Sequence, residues 1–144
     1  MAEEKEYLNE RLLKASDKGN KGLVKDLLAK GADVHARDYD GTTVLHKAAR
    51  HGKEGVVRLL LKKGANIHAK DNYGNTALYD AASNGKEGVV RLLLEHASKQ
   101  GKLKKLLDAK NKDSKRAVDV AYGKAEPMIK TKMEELGLLK KETR

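Results

Sequence analysis

An all-α solenoid of stacked helix-turn-helix repeats, with turn-tipped finger loops between them, is the fold this sequence predicts. Three observations predict it. First, the ten residues Gly52 to Leu61 (GKEGVVRLLL) recur letter for letter as Gly85 to Leu94, thirty-three positions later; an echo at that period marks a stacked repeat. Second, the same step relates Leu12, Ala15, Gly19, Val24 and Leu27 to Leu45, Ala48, Gly52, Val57 and Leu60, so a third unit lies upstream. Third, the 144 residues contain no Trp and no Phe. A core of Leu, Val and Ala suits thin layers of helices rather than a globule built on large rings.

Residues 38–70 make the clearest unit. Asp38-Tyr39-Asp40-Gly41 has the chemistry of a tight turn, with Gly free to take positive φ. Thr43 precedes an alanine-rich segment, Val44 to His51, and is placed to cap it through its hydroxyl. Leu45, Ala48 and Ala49 fall at i, i+3, i+4 and form one buried stripe, whose short alanines let helices approach closely. Gly52 ends that helix as a left-handed cap. A second helix, about Glu54 to Lys63, buries Val56, Val57, Leu60 and Leu61, and Gly64 closes it. Ala65 to Ala69 is an extended exit into the next turn at Asp71. Neither helix alone hides its apolar face, but pairs stacked on neighbours do.

With these residues in view, the chain resembles the ankyrin-repeat family. The family's turn Gly, Thr-Pro-Leu-His, paired alanines, Gly, Val/Leu-rich helix and Gly-Ala-Asp-Val-Asn-Ala correspond to Gly41-Thr42-Thr43-Val44-Leu45-His46, Ala48-Ala49, Gly52 and Gly64-Ala65-Asn66-Ile67-His68-Ala69. Val44 and Ala77 stand at the family's proline, Tyr79 at its histidine, and His35 and His68 at its asparagine.

The expected organisation is a single domain of four units. Residues 1–37 form an N-terminal cap, 38–70 and 71–110 the central repeats, and 111–144 a C-terminal cap. Asp108-Ala109-Lys110-Asn111 aligns with His68-Ala69-Lys70-Asp71 only at an offset of 40, so the third unit carries about seven extra residues near 98–105. Leu103, Leu106 and Leu107 predict that this insertion lengthens the second helix or adds a short turn. In the last unit, Ala117, Val118 and Ala121 fit a first helix, and Pro127 is expected at the first position of a second, Pro127 to Leu136.

Composition excludes several function classes. No cysteine means no disulfide scaffold, thiol nucleophile or thiolate metal site, and suits a reducing compartment. No apolar run approaches the roughly 18 residues of a membrane span. The acidic, polar stretch Met1 to Glu10 predicts no secretory leader, and an intracellular, cytoplasmic monomer is the expectation. The formal net charge of +10 is unevenly placed. Residues 1–97 hold 17 Lys/Arg against 14 Asp/Glu, and residues 98–144 hold 14 against 7.

Candidate chemistry is sparse. Among the five histidines, His46 resembles the family's brace for the turn, and the recurrence of His35 and His68 with the repeat points to a shared bracing job. His46 and His51 lie at i, i+5, which does not put two ligands on one helical face. No His/Asp/Glu set has zinc spacing, so no metal and no cofactor are predicted. Ser16, Ser83, Ser98 and Ser114 lie outside any Gly-x-Ser-x-Gly context. Glu54 and Glu87, where a phosphate loop needs Ser or Thr, remove that reading of Gly52-Lys53 and Gly85-Lys86. Lys99 to Arg116 is basic, but without interleaved aromatics it reads as a solvated face before it reads as a nucleic-acid surface.

The resemblance implies a non-catalytic protein-binding module that grips a protein partner with its turn tips and first helices. The excess positive charge favours an acidic partner and makes nucleic acid the lesser choice. Carried over by position, the surface comprises Tyr39, Asp40, Thr42, Arg50 and His51 in the second unit. In the third it comprises Asn72, Tyr73, Asn75, Ser83 and Asn84, with Arg37 and Lys70 at the junctions; Lys112, Asp113 and Lys115 extend it. Two tyrosines near adjacent turn tips offer large contact area at low entropy cost. The alternatives are an adaptor that holds polyanions through the basic C-terminal third, and a stable scaffold without a native partner.

Overall fold

Helices begin where a polar side chain can take the free amides of a first turn. In this computed structural model, which describes residues 2–139, Thr43 and Thr76 are extended, and each hydroxyl accepts the amide three residues on. They open α3 (Val44–Arg50) and α5 (Ala77–Ser83). Ahead lie α1 (Ala2–Lys18) and α2 (Lys21–Ala29); the outer helices α4 (Glu54–Lys62) and α6 (Glu87–Lys99) follow their partners. The chain ends in α7 (Leu103–Asp108), α8 (Ala117–Val120) and α9 (Ala125–Glu135). No strand forms among the described residues; one isolated bridge joins Arg37 to Thr43 at the root of a finger.

Two rows result. The first helices α1, α3, α5 and α8 each pack on the next, and the second helices α2, α4, α6 and α9 do the same behind them. Equivalent positions fill equivalent places. Leu12, Leu45 and Leu78 are at most 1% exposed, and so are Leu27, Leu60 and Leu93. Burying each such leucine contributes about 1.5–3 kcal/mol. Ala48, Ala49, Ala81 and Ala82 are fully buried between neighbouring first helices, as close approach requires.

The finger tips explain two glycines and one exception. Gly41 and Gly74 have φ of 72° and 81°. A Cβ on Gly41 would sit 2.5 Å from Asn72 Oδ1, and one on Gly74 3.0 Å from the backbone of Asn111 and Lys112. Ser114 takes the corresponding place at the last finger with φ of 60°. Among the described residues no further finger packs on it, so its side chain has room, and what remains is the backbone strain of a non-glycine residue in the left-handed region.

Several expectations need correction. The exit 65–69 is a turn closed by Ala69 N–H donating to Asn66 O, not an extended segment. In α4 it is Leu59 with Leu60 that is buried, while Leu61 is half-buried. At the insertion α6 runs thirteen residues against nine in α4, as one of the two alternatives foresaw, and a separate six-residue helix, α7, rather than a short turn, then packs on α6 and α9. The fourth unit's first helix is a four-residue stub, because Ala121 turns to ψ of 134° and Tyr122 N–H donates to Ala82 O. Its second helix starts at Ala125, two residues ahead of Pro127. Proline is tolerated there because a first-turn amide has no helical partner to lose.

The candidate interface along the finger edge

Each finger is built on one acceptor. Asp38 Oδ1 accepts the amides of Asp40 and Thr42 at 2.9 and 3.0 Å. Asp71 Oδ1 does the same for Tyr73 and Asn75, and Asn111 Oδ1 for Asp113 and Lys115. Burial opposes ionisation of Asp38, but the ammonium of Lys47 at 3.0 Å and the donated amides outweigh it, and its carboxyl lies below the ordinary value.

The fingers are then bonded to each other. Asn72 N–H donates to Asp40 O and its Nδ2 to Tyr39 O; Lys112 N–H donates to Tyr73 O. Arg37 Nη1 donates to Gly41 O at 3.0 Å and, one unit on, to Lys70 O at 2.7 Å; Lys70 Nζ donates to Lys110 O at 3.0 Å. His46 is buried and braces the turn as foreseen. Nδ1 accepts from Thr43 N–H, which places the proton on Nε2, and Nε2 donates to Asn75 O at 2.7 Å. His35 and His68 do not brace through their rings: only their backbone amides are bonded, to Asp33 and Asn66.

Behind the fingers, polar side-chain contacts cross from unit to unit. Arg50 Nη2 lies 3.1 Å from Asp80 Oδ2, and His51 Nε2 lies 2.9 Å from Asp17 Oδ1. Burial raises the Asp80 pKa above its ordinary value and nearby Asp71 adds to this, against the opposing pull of His46 and Arg50. Ligand atoms of His46, Asp71 and Asp80 come within 4.8 Å of one another, a spacing a metal ion would fit. Both His46 nitrogens and one oxygen of each carboxylate, Asp71 Oδ1 and Asp80 Oδ2, already hold protein partners. The cluster is a structural network.

The residues singled out in sequence therefore separate into two sets. Arg37, Lys70, Asn72 and Asn75 tie fingers together, and Thr42 is buried. Arg50 and His51 hold adjacent units, and Ser83 and Asn84 donate to Asp80 O within their own helix end. Tyr39, Tyr73, Asp40, Lys112, Asp113 and Lys115 point outward along one edge, with Tyr39 96% and Tyr73 61% exposed.

Beside Tyr39 opens a groove of about 740 Å³ that the sequence reading missed. One wall is α1, through Glu6, Glu10, Lys14 and Asp17; the other is the first finger with Lys47 of α3. The i, i+4 spacing of Glu6, Glu10 and Lys14 was the available signal, since it puts them on one helical face.

Paired helices in two rows, neighbour-only packing and a bonded finger edge define a solenoid repeat protein. Residues 12–105 match the family model for ankyrin repeats (three copies), and the chain belongs to the ankyrin-repeat family. No curated protein matches the chain. Ankyrin repeats are in general protein–protein interaction modules and typically non-catalytic. No helix of the described residues is long and apolar enough to cross a membrane.

Proposed function

We propose that this chain is a non-catalytic recognition module that binds a protein partner along the finger edge, with Tyr39 and Tyr73 as its anchors, and that the first and last units, 1–37 and 111–144, act as caps. One observation carries the reading: these two rings stand free of the bonding that occupies most of their neighbours. Aromatic side chains of this kind recur as the dominant contacts of protein interfaces. The groove between Tyr39 and α1 gives the first anchor a concave surround, and Asp40, Lys112, Asp113 and Lys115 supply a charged rim. A cysteine-free chain suits work in a reducing compartment such as the cytoplasm.

The test is capture of partners from a lysate by the intact chain and by the Tyr39→Ala/Tyr73→Ala variant. The double variant is expected to unfold within about 1 kcal/mol of the parent, as exposed positions usually do, while losing its captured protein. Undiminished capture would remove the anchors and with them this reading.

A further inference from the structure

Away from the finger edge, the insertion creates a second feature of different chemistry. A cleft of about 320 Å³ lies between the exit of the second unit and α7, lined by His68, Lys70, Thr76, Lys105, Asp108 and Ala109. Its charge is one-sided. Lys70 and Lys105 line it, Lys102 stands next to α7, and the single carboxylate, Asp108, is 3.4 Å from Arg116. His68 is the odd member: its Nε2 is buried and has no hydrogen-bond partner among the described residues. Burial first, then Lys105, Lys102 and His96, hold its pKa below the ordinary value. One unit earlier His35 occupies the same register in the open, so the insertion accounts for the difference. An unpartnered buried polar atom costs about 1–3 kcal/mol, and lysines gathered round it raise the local positive potential.

We infer that this cleft is an anion site that takes a phosphate group, held by Lys105 and Lys70 beside the imidazole of His68. Phosphate fits better than a carboxylate because its second charge and its additional oxygens match several ammonium donors together with a ring that lacks an acceptor. Binding relieves the repulsion that keeps His68 neutral, so the ring takes up a proton and turns its orphan nitrogen to a phosphate oxygen. The reverse linkage follows for a fixed charge state of the ligand: protonation of His68 favours phosphate as pH falls through the lowered His68 value, and loss of the phosphate's own second charge below about pH 6 opposes it. This site stands independently of the tyrosine edge.

The experiment follows the His68 ring resonances of the intact chain through a pH titration. The arms are inorganic phosphate, a short phosphoserine peptide with its unphosphorylated twin, and chloride at matched ionic strength. Phosphate is expected to raise the His68 pKa where chloride does not, and to leave exposed His35 where it was. Lys105→Gln is expected to raise the His68 pKa without any ligand, and to weaken phosphate binding by about tenfold, one charge-assisted contact's worth. Tighter binding of the phosphopeptide than of free phosphate assigns the group to a protein; binding of free phosphate alone assigns the small ion. Equal shifts in chloride and phosphate, or a phosphate effect untouched by Lys105→Gln, would overturn the site.

Discussion

The second and third units contain the same ten residues, GKEGVVRLLL, yet the structure treats the two copies differently. Val56, Val57 and Leu60 are buried in one helix and Val89, Val90 and Leu93 in the other, so the stripe facing the neighbouring pairs is common to both. At the edges of that stripe the copies part. Leu59 is buried while its twin Leu92 is not; Leu94 is 4% exposed while its twin Leu61 is half-buried. Local sequence cannot cause this, being identical. For Leu94 the added cover is what comes next: α4 stops at Lys62, whereas α6 runs on to Lys99 and brings α7 back against itself. In a solenoid the burial of a residue is set by its neighbours' shape as much as by its own helix.

The difference gives a direct way to break the comparison. Leu94→Ala is expected to cost about 3 kcal/mol and Leu61→Ala about 1 kcal/mol, read from chemical denaturation, because only the first leaves a sealed cavity. Equal losses would mean that α7 does not change the environment of its repeat.

The two units also hold carboxylates of opposite pH behaviour. Asp38, whose pKa is lowered, contributes stability that is present above about pH 3.8 and is lost as pH falls through its folded value. Asp80, whose pKa is raised, binds its proton more tightly when folded, so it withdraws stability as pH rises from 3.8 through its folded value. Relative to the parent, Asp38→Asn should therefore become less stable as pH rises towards 3.8 from below, and Asp80→Asn more stable as pH rises above 3.8. Thermal melts between acid and neutral pH check the signs; parallel curves would remove the distinction.

A smaller effect sharpens the contrast between inner and terminal fingers. Ser114→Gly is expected to stabilise the chain by about 0.5–1 kcal/mol by removing left-handed strain at a tip that nothing packs against. The same tip in the inner fingers is already glycine, since the next finger leaves no room for a side chain.

What could be read from the sequence follows the same division. The Thr43 cap, the spacing of Leu45, Ala48 and Ala49, and the contact of His46 Nδ1 with Thr43 were legible because each is determined within one unit. The contacts of Arg50 and His51 were not legible, because their partners, Asp80 and Asp17, lie in other units and no local spacing announces them. The same holds for Asn72 and Arg37, which sit at exposed turns in sequence but donate to carbonyls of the adjoining finger. The exposure of Tyr39 and Tyr73 was legible because large rings at turn tips stand out in a chain with only five aromatic residues. The groove beside α1 required knowing that the first finger folds back over that helix.

The claim beneath all of this is that one helix pair acquires its structure from the pairs on either side. The direct measurement is far-UV circular dichroism of residues 38–70 as an isolated peptide, set beside the intact chain through a denaturant titration. The peptide is expected to be mostly unfolded with no cooperative transition, while the full chain unfolds cooperatively from a helical baseline. A peptide that holds native helix content and melts sharply by itself would contradict the account.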